Sequence, residues 1–175
     1  EILDFADKYN INKIKRPNEF ASDESSSEDA WIHAIDFIEK KDIAIDTVVS
    51  PQVTSPLRKD NDMDKALEKF FLEEYDSLFS ANAIKDFFVW GFNEKNSLES
   101  LNYDYKSRGR RQEIKEQFIE NGSFYIFKSD KLKKFKNRLC GKIGYSKQNS
   151  WQMFEIDHAE DLEFCSLLMK NYIIE

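Results

Sequence analysis

Glu155 and Asp157 stand two residues apart in the string Phe154-Glu155-Ile156-Asp157. In an extended segment residues i and i+2 face the same side, so the two carboxylates lie together while Phe154 and Ile156 turn to a core. Like charges that close repel unless a cation sits between them. Such a pair suits Mg2+, which takes one or two carboxylates and completes its octahedron with water and substrate phosphates. The same spacing also fits two solvated acids on a half-exposed strand. Arg108-Gly109-Arg110-Arg111 gathers three guanidinium groups around a glycine. Their forked donors match carboxylate or phosphate, or the segment is a charged loop in water. Glu120-Asn121-Gly122-Ser123, followed by Phe124-Tyr125-Ile126, offers an amide, a turn and a phenol: ligand contacts, or a turn and a buried ring. His33 and His158 read as structural, and Lys131, Lys133, Lys134, Lys136 and Arg138 as the wet face of a short helix. No spacing of Ser, His and Asp, or of Cys and His, supports a nucleophilic triad.

The 175 residues hold 26 Lys and Arg against 33 Asp and Glu, a net charge of −7. That length suits one domain over residues 1–175 with a sizeable core, and the acidic balance argues against a nucleic-acid grip. No apolar run approaches the roughly 20 residues that cross a bilayer, and Cys140 and Cys165 are too few for a disulfide scaffold. A cytoplasmic domain is the expectation. None of the five glycines precedes Gly91, which excludes a glycine-rich phosphate loop from the first half.

These side chains need elements to hold them. Ile2, Phe5, Ala6 and Tyr9 share a helical face, and Ile11–Arg16 reads as a short strand closed by Pro17. Ser25 with Glu28, or Ser26 with Asp29, has capping-box spacing before a helix carrying Trp31, Ala34, Ile35 and Ile38. Thr47-Val48-Val49 is a strand, and Asp60 or Asn61 can cap a helix with Met63, Ala66, Leu67, Phe70 and Phe71 inward. Strands are expected at Ser77–Ala81, Phe87–Phe92, Ser123–Lys128, Lys142–Tyr145 and Phe154–Asp157. A final helix would turn Leu162, Cys165, Leu168, Met169 and Tyr172 inward. Residues 93–117 are polar and weakly periodic, an excursion from the core. Alternating strands and helices predict an α/β fold with a mostly parallel sheet.

Six strings, in this order along the chain, resemble the N-acylneuraminate cytidylyltransferases. They are Arg16-Pro17 with Glu19-Phe20-Ala21-Ser22-Asp23 and Ser26-Ser27; Gln52-Val53-Thr54-Ser55-Pro56-Leu57-Arg58; Asn102-Tyr103-Asp104-Tyr105 with Arg108 and Arg110-Arg111-Gln112; Glu120-Asn121-Gly122-Ser123-Phe124-Tyr125-Ile126; Asn137-Arg138 with Gly141-Lys142-Ile143-Gly144; and Glu155-Ile156-Asp157. The departures are Val53 where the family has proline, Ser25 where it has alanine, Tyr145-Ser146-Lys147-Gln148 where it often has Tyr-x-Met, Trp90 near where some members have lysine, and no Arg-x-x-Ser-Lys-Gly phosphate loop. The last makes an N-terminally truncated chain, weak or inactive alone, the expectation.

The resemblance implies a Rossmann-like nucleotidyltransferase that forms homodimers through the 93–117 excursion. It implies attack by the anomeric hydroxyl of a nine-carbon α-keto acid sugar, sialic or another nonulosonic acid, on the α-phosphate of CTP, with release of pyrophosphate. Glu155 and Asp157 would hold Mg2+, and Asp157 and Arg111 would act in catalysis. Arg16, Ser25 and Ser27 would line the nucleotide site. Gln52, Arg111, Asn121 and Tyr125 would contact the sugar acid, Arg111 at its carboxylate. The alternative is a truncated or non-catalytic relative that dimerises or binds sugar acids.

Overall fold

The computed structural model describes residues 2–21, 25–84, 87–113 and 115–174, with only the backbone of Arg111. Ser22 and Asp23 of the first string therefore lie outside the described residues, as does the Arg111 side chain. The elements run α1 (Ile2–Ala6), α2 (Ser27–Glu39), β1 (Thr47–Pro51), α3 (Asp62–Leu72), β2 (Ser77–Ile84), β3 (Trp90–Phe92), β4 (Leu98–Ser100), β5 (Gln117–Lys128), α4 (Ser129–Phe135), β6 (Ile143–Gln148) and α5 (Ala159–Tyr172). Four strands form one sheet in the order β1-β5-β2-β6, and β3 and β4 form a separate hairpin.

The fold is α/β, but the sheet is mixed and mostly antiparallel rather than mostly parallel. β1 runs antiparallel to β5, Thr47 opposite Lys128 and Pro51 opposite Phe124. The parallel pair is β2 with β6: Asp76 N donates to Lys142 O at one end and Asn82 Nδ2 to Asn149 O at the other. Hydrophobic patterning marks a strand but not the direction of its neighbour, and short apolar runs pair either way.

Two compact units divide the chain. One comprises residues 1–52, 60–79 and 124–146; the other comprises 53–59, 80–123 and 147–175. In the first, β5 is apolar on both faces. Phe124 and Ile126 pack with Ala66 and Phe70 of α3 and Leu78 of β2, while Tyr125 and Phe127 pack with Ile35 of α2 and Leu132 of α4. Such a continuous apolar run belongs to a strand covered on both sides. Ser26 caps α2, its hydroxyl accepting from Asp29 N at 3.1 Å, which is the second of the two capping spacings. Asn61 stands at the N-cap of α3 without a side-chain capping bond.

Several expected elements differ. Ile11–Arg16 forms no strand, and the α1 stripe stays in water, Ile2 at 84% exposure. Of the α5 stripe only Cys165 is buried; Leu162 and Tyr172 are exposed. The lysine run is also not simply wet. Lys131 lies 3.8 Å from Asp76, and Lys133 lies 2.7 Å from Asp36 and 2.5 Å from Glu39. Among the described residues no helix is long and apolar enough to cross a membrane.

Asp76 is the polar node of the first unit. Its carboxylate accepts from Lys142 N at 2.9 Å and Lys128 Nζ at 3.0 Å. The Lys142 N–H, seconded by the Lys128 ammonium, holds its pKa below the usual carboxylate value. A folded pKa below the unfolded one contributes stability that is present above the unfolded value and lost as pH falls through the folded one. Asp76→Asn is expected to cost about 1–2 kcal/mol near neutral pH. In urea titrations its gap from wild type should close below roughly pH 4; a gap constant down to pH 2 would refute this account.

Candidate functional site

Five of the singled-out residues, Arg16, Ser25, Ser27, Gln52 and Tyr125, belong to the first unit. Ser25 donates from its hydroxyl to Glu19 O at 3.2 Å, tying the start of α2 back to the turn after Pro17. Ser27 is the first residue of α2 and is exposed, as are Arg16 and Gln52. Tyr125 is only 6% exposed, within the α2-side core. Over its ring, 4.8 Å from the centroid, lies the guanidinium of Arg138, which also stands 4.6 Å from Trp31. Arg138 donates to both oxygens of Glu28, from Nε at 2.7 Å and from Nη2 at 3.0 Å. The Arg138 hydrogen bond holds the Glu28 carboxyl below the usual range. Sequence reasoning missed this arrangement, since nothing in a basic run tells which member finds a carboxylate and two rings.

In the second unit, Asn121 is the centre of a buried amide network. Its Nδ2 donates to Asn82 Oδ1 at 2.6 Å and to Gln148 Oε1 at 2.7 Å. Its Oδ1 accepts from Ser80 Oγ at 2.6 Å and from Ser123 N at 3.1 Å. All four valences of that amide are spent internally. Asn82 and Gln148 are nearly as buried as Asn121. The network runs on through Asn149, whose amide and backbone N both donate to Gln152 Oε1, to Gln152 Nε2, which donates to Leu57 O at 3.0 Å. Arg58 donates to Ser55 O and, at 3.1 Å, to Ser123 O. The loop 53–59 thus donates to β5 through Arg58 and accepts from the turn after β6 at Leu57 O. The amide-rich run Gln148-Asn149-Ser150-Trp151-Gln152 was the available signal, but burial of polar groups is invisible to hydropathy.

Glu155 and Asp157 follow that turn. Phe154–Asp157 is not a strand: the segment is irregular, held by Ile156 N donating to Thr54 O at 2.7 Å. The described segment forms no strand, so it is positioned by such individual bonds rather than by a ladder. Glu155 is half-buried and Asp157 exposed. Asp161 caps α5, accepting from Asp157 N at 3.0 Å and His158 N at 2.7 Å, so His158 is the helix-start residue its position implied. Among the described residues, no three His, Cys, Asp or Glu side chains gather as a metal cluster. The two carboxylates still fit Mg2+ by donor chemistry, because that ion keeps several waters and needs only one or two protein oxygens. Asp157 accepts no side-chain bond among the described residues, which leaves its oxygens open to an ion.

The excursion is a β3–β4 hairpin followed by irregular chain. Asn93 Oδ1 accepts from Lys95 N at 3.0 Å and Ser97 N at 3.1 Å, forming the turn. Asn102 and Gln117 exchange amide bonds of 2.7 and 2.8 Å that close its base. Of the arginine cluster, Arg108 stacks 4.2 Å over Phe88, and Arg111 begins a short 3-10 turn.

No protein-family profile matches the chain. Over 133 residues, 74% of its length, it is 32% identical to N-acylneuraminate cytidylyltransferase A of Danio rerio. The chain spans 30% of that relative's length. It is thus similar, at the level of sequence, to part of a nucleotidyltransferase.

Proposed function

We propose that this chain belongs to the N-acylneuraminate cytidylyltransferases and carries residues that transfer CMP from CTP to a nine-carbon α-keto acid sugar, releasing pyrophosphate. The observation that carries the reading is the 32% identity over 133 residues, with the strings around Gln52, Arg111, Asn121 and Asp157 in family order. Arg16, Ser25 and Ser27 line the nucleotide. Gln52, Arg111, Asn121 and Tyr125 meet the sugar acid, with Arg111 forking onto its carboxylate. For Asn121 to do so, one of its internal bonds must be exchanged for the ligand. Glu155 and Asp157 would hold Mg2+, which when bound neutralises charge on the transferring phosphoryl group. The protein's own contribution is positioning: it holds the anomeric hydroxyl in line with the α-phosphate and excludes water.

Titration calorimetry with CTP, with and without Mg2+, followed by pyrophosphate release on adding sialic acid, tests the reading. Metal-dependent CTP binding and sugar-dependent release above background are expected. CTP binding that ignores Mg2+, or its absence, refutes it.

Homodimerisation through the excursion is part of the same proposal. Its support is the apolar surface there: Phe92 is 69% exposed and Leu98 63%, where isolated monomers keep such surface small. Light scattering is expected to report a dimer, and Phe92→Lys with Leu98→Lys to give a monomer of unchanged unfolding temperature. A dimer that survives both changes would place the interface elsewhere.

A further inference from the structure

Arg138 has no role in the reading above, yet it is the most fully engaged cation of the first unit. It follows α4 and lies inside a turn in which Asn137 Oδ1 accepts from Leu139 N at 2.9 Å. Both oxygens of Glu28 receive its fork, and its flat face lies over Trp31 and Tyr125. The pair is well covered, with side-chain exposures of 23% for Arg138 and 15% for Glu28. Glu28 stands one residue after Ser27 and three after Ser25, in the first turn of α2. Trp31 is on the next turn of that helix. One guanidinium therefore grips the helix start at two points, by its fork and by its face, and sets it against the β5 ring of Tyr125.

The geometry points to Arg138 as the positioning residue of the nucleotide site: it fixes the start of α2, and with it Ser25 and Ser27, while cancelling the Glu28 charge. This rests on the nucleotide role proposed for those serines. A carboxylate one residue from a group that meets an anionic nucleotide repels it unless it is neutralised. Only a planar, forked cation can neutralise Glu28 bidentately and stack on two rings at once; lysine offers a point charge.

The test measures CTP and sialic acid affinities separately, in Mg2+, for wild type, Arg138→Met, Arg138→Lys and Glu28→Gln. CTP affinity is expected to fall about tenfold or more in both Arg138 variants, because a displaced binding group is costly. Sialic acid affinity should move less than about twofold, since its proposed contacts other than Tyr125 lie outside this cluster. Glu28→Gln is nearly isosteric. Although it removes a charge already cancelled by Arg138, it weakens the fork that fixes the helix start, so it should lower CTP affinity about threefold with the fold intact, which keeps the test decisive if Arg138→Met unfolds. Equal losses for both ligands, or full rescue by lysine, would make Arg138 merely structural and overturn the assignment. Unchanged CTP affinity in folded variants would overturn it too. A wild-type chain that binds no CTP refutes the functional reading itself, and the assignment falls with it.

Discussion

Asn121→Leu is expected to destabilise the protein by about 3–5 kcal/mol, because each buried polar group left without a partner costs roughly 1–3 kcal/mol. Leucine matches the volume of asparagine closely enough to avoid a large cavity, so the loss is one of hydrogen bonds. Asn82 and Gln148 would each lose a donor, and the Ser80 hydroxyl and Ser123 N–H would lose this acceptor. Asp at the same position should be no better. A carboxylate would face the Asn82 and Gln148 oxygens with no hydrogen to offer. Denaturant unfolding reads the effect directly. A leucine variant within about 1 kcal/mol of wild type would mean that water replaces the amide and that the network is loose. The neighbouring Glu120→Gln, exposed on the same strand, is the control and should stay within roughly 0.5 kcal/mol.

The second large effect is on chemistry rather than stability. On the proposed cytidylyltransferase reading, Asp157→Asn and Glu155→Gln should each cut any pyrophosphate release by about a hundredfold, with the dependence on Mg2+ concentration shifted upward. Unfolding temperature should hold for Asp157→Asn, since that side chain is exposed and its segment is anchored by the backbone of Ile156. A direct titration of Mn2+ in the presence of CTP gives a readout free of turnover. Undiminished Mn2+ binding in both variants would remove these two acids from the metal assignment.

Much of the architecture was legible in residue order alone. Trp31, Ala34, Ile35 and Ile38 announce α2 by their period, and a capping spacing at Ser25 or Ser26 announces its start, with the structure choosing Ser26; both depend on contacts within one helix. Ser123–Lys128 likewise reads as a strand, although by alternation; that both its faces are covered was decided by folding. Where a feature depends on a partner far along the chain, the local pattern misleads. Phe154–Asp157 alternates as a strand would, but with Ile156 N on Thr54 O and Asp157 N on Asp161 it forms no ladder and stays irregular. The α5 stripe has the right period, but only Cys165 finds a core.

The candidate site divides in the same way. Which residue types are present, two acids at 155 and 157, an arginine at 111 and an amide at 121, is a property of the chain as written, and so is the family they resemble. That Asn121 spends every hydrogen bond on Asn82, Gln148, Ser80 and Ser123, or that Arg138 leaves its lysine neighbours to close on Glu28, was decided only by folding. Those partners lie between 2 and 110 residues away in sequence. Their energies arise from exclusion of water around pairs that chain order does not bring together, and no local spacing encodes that.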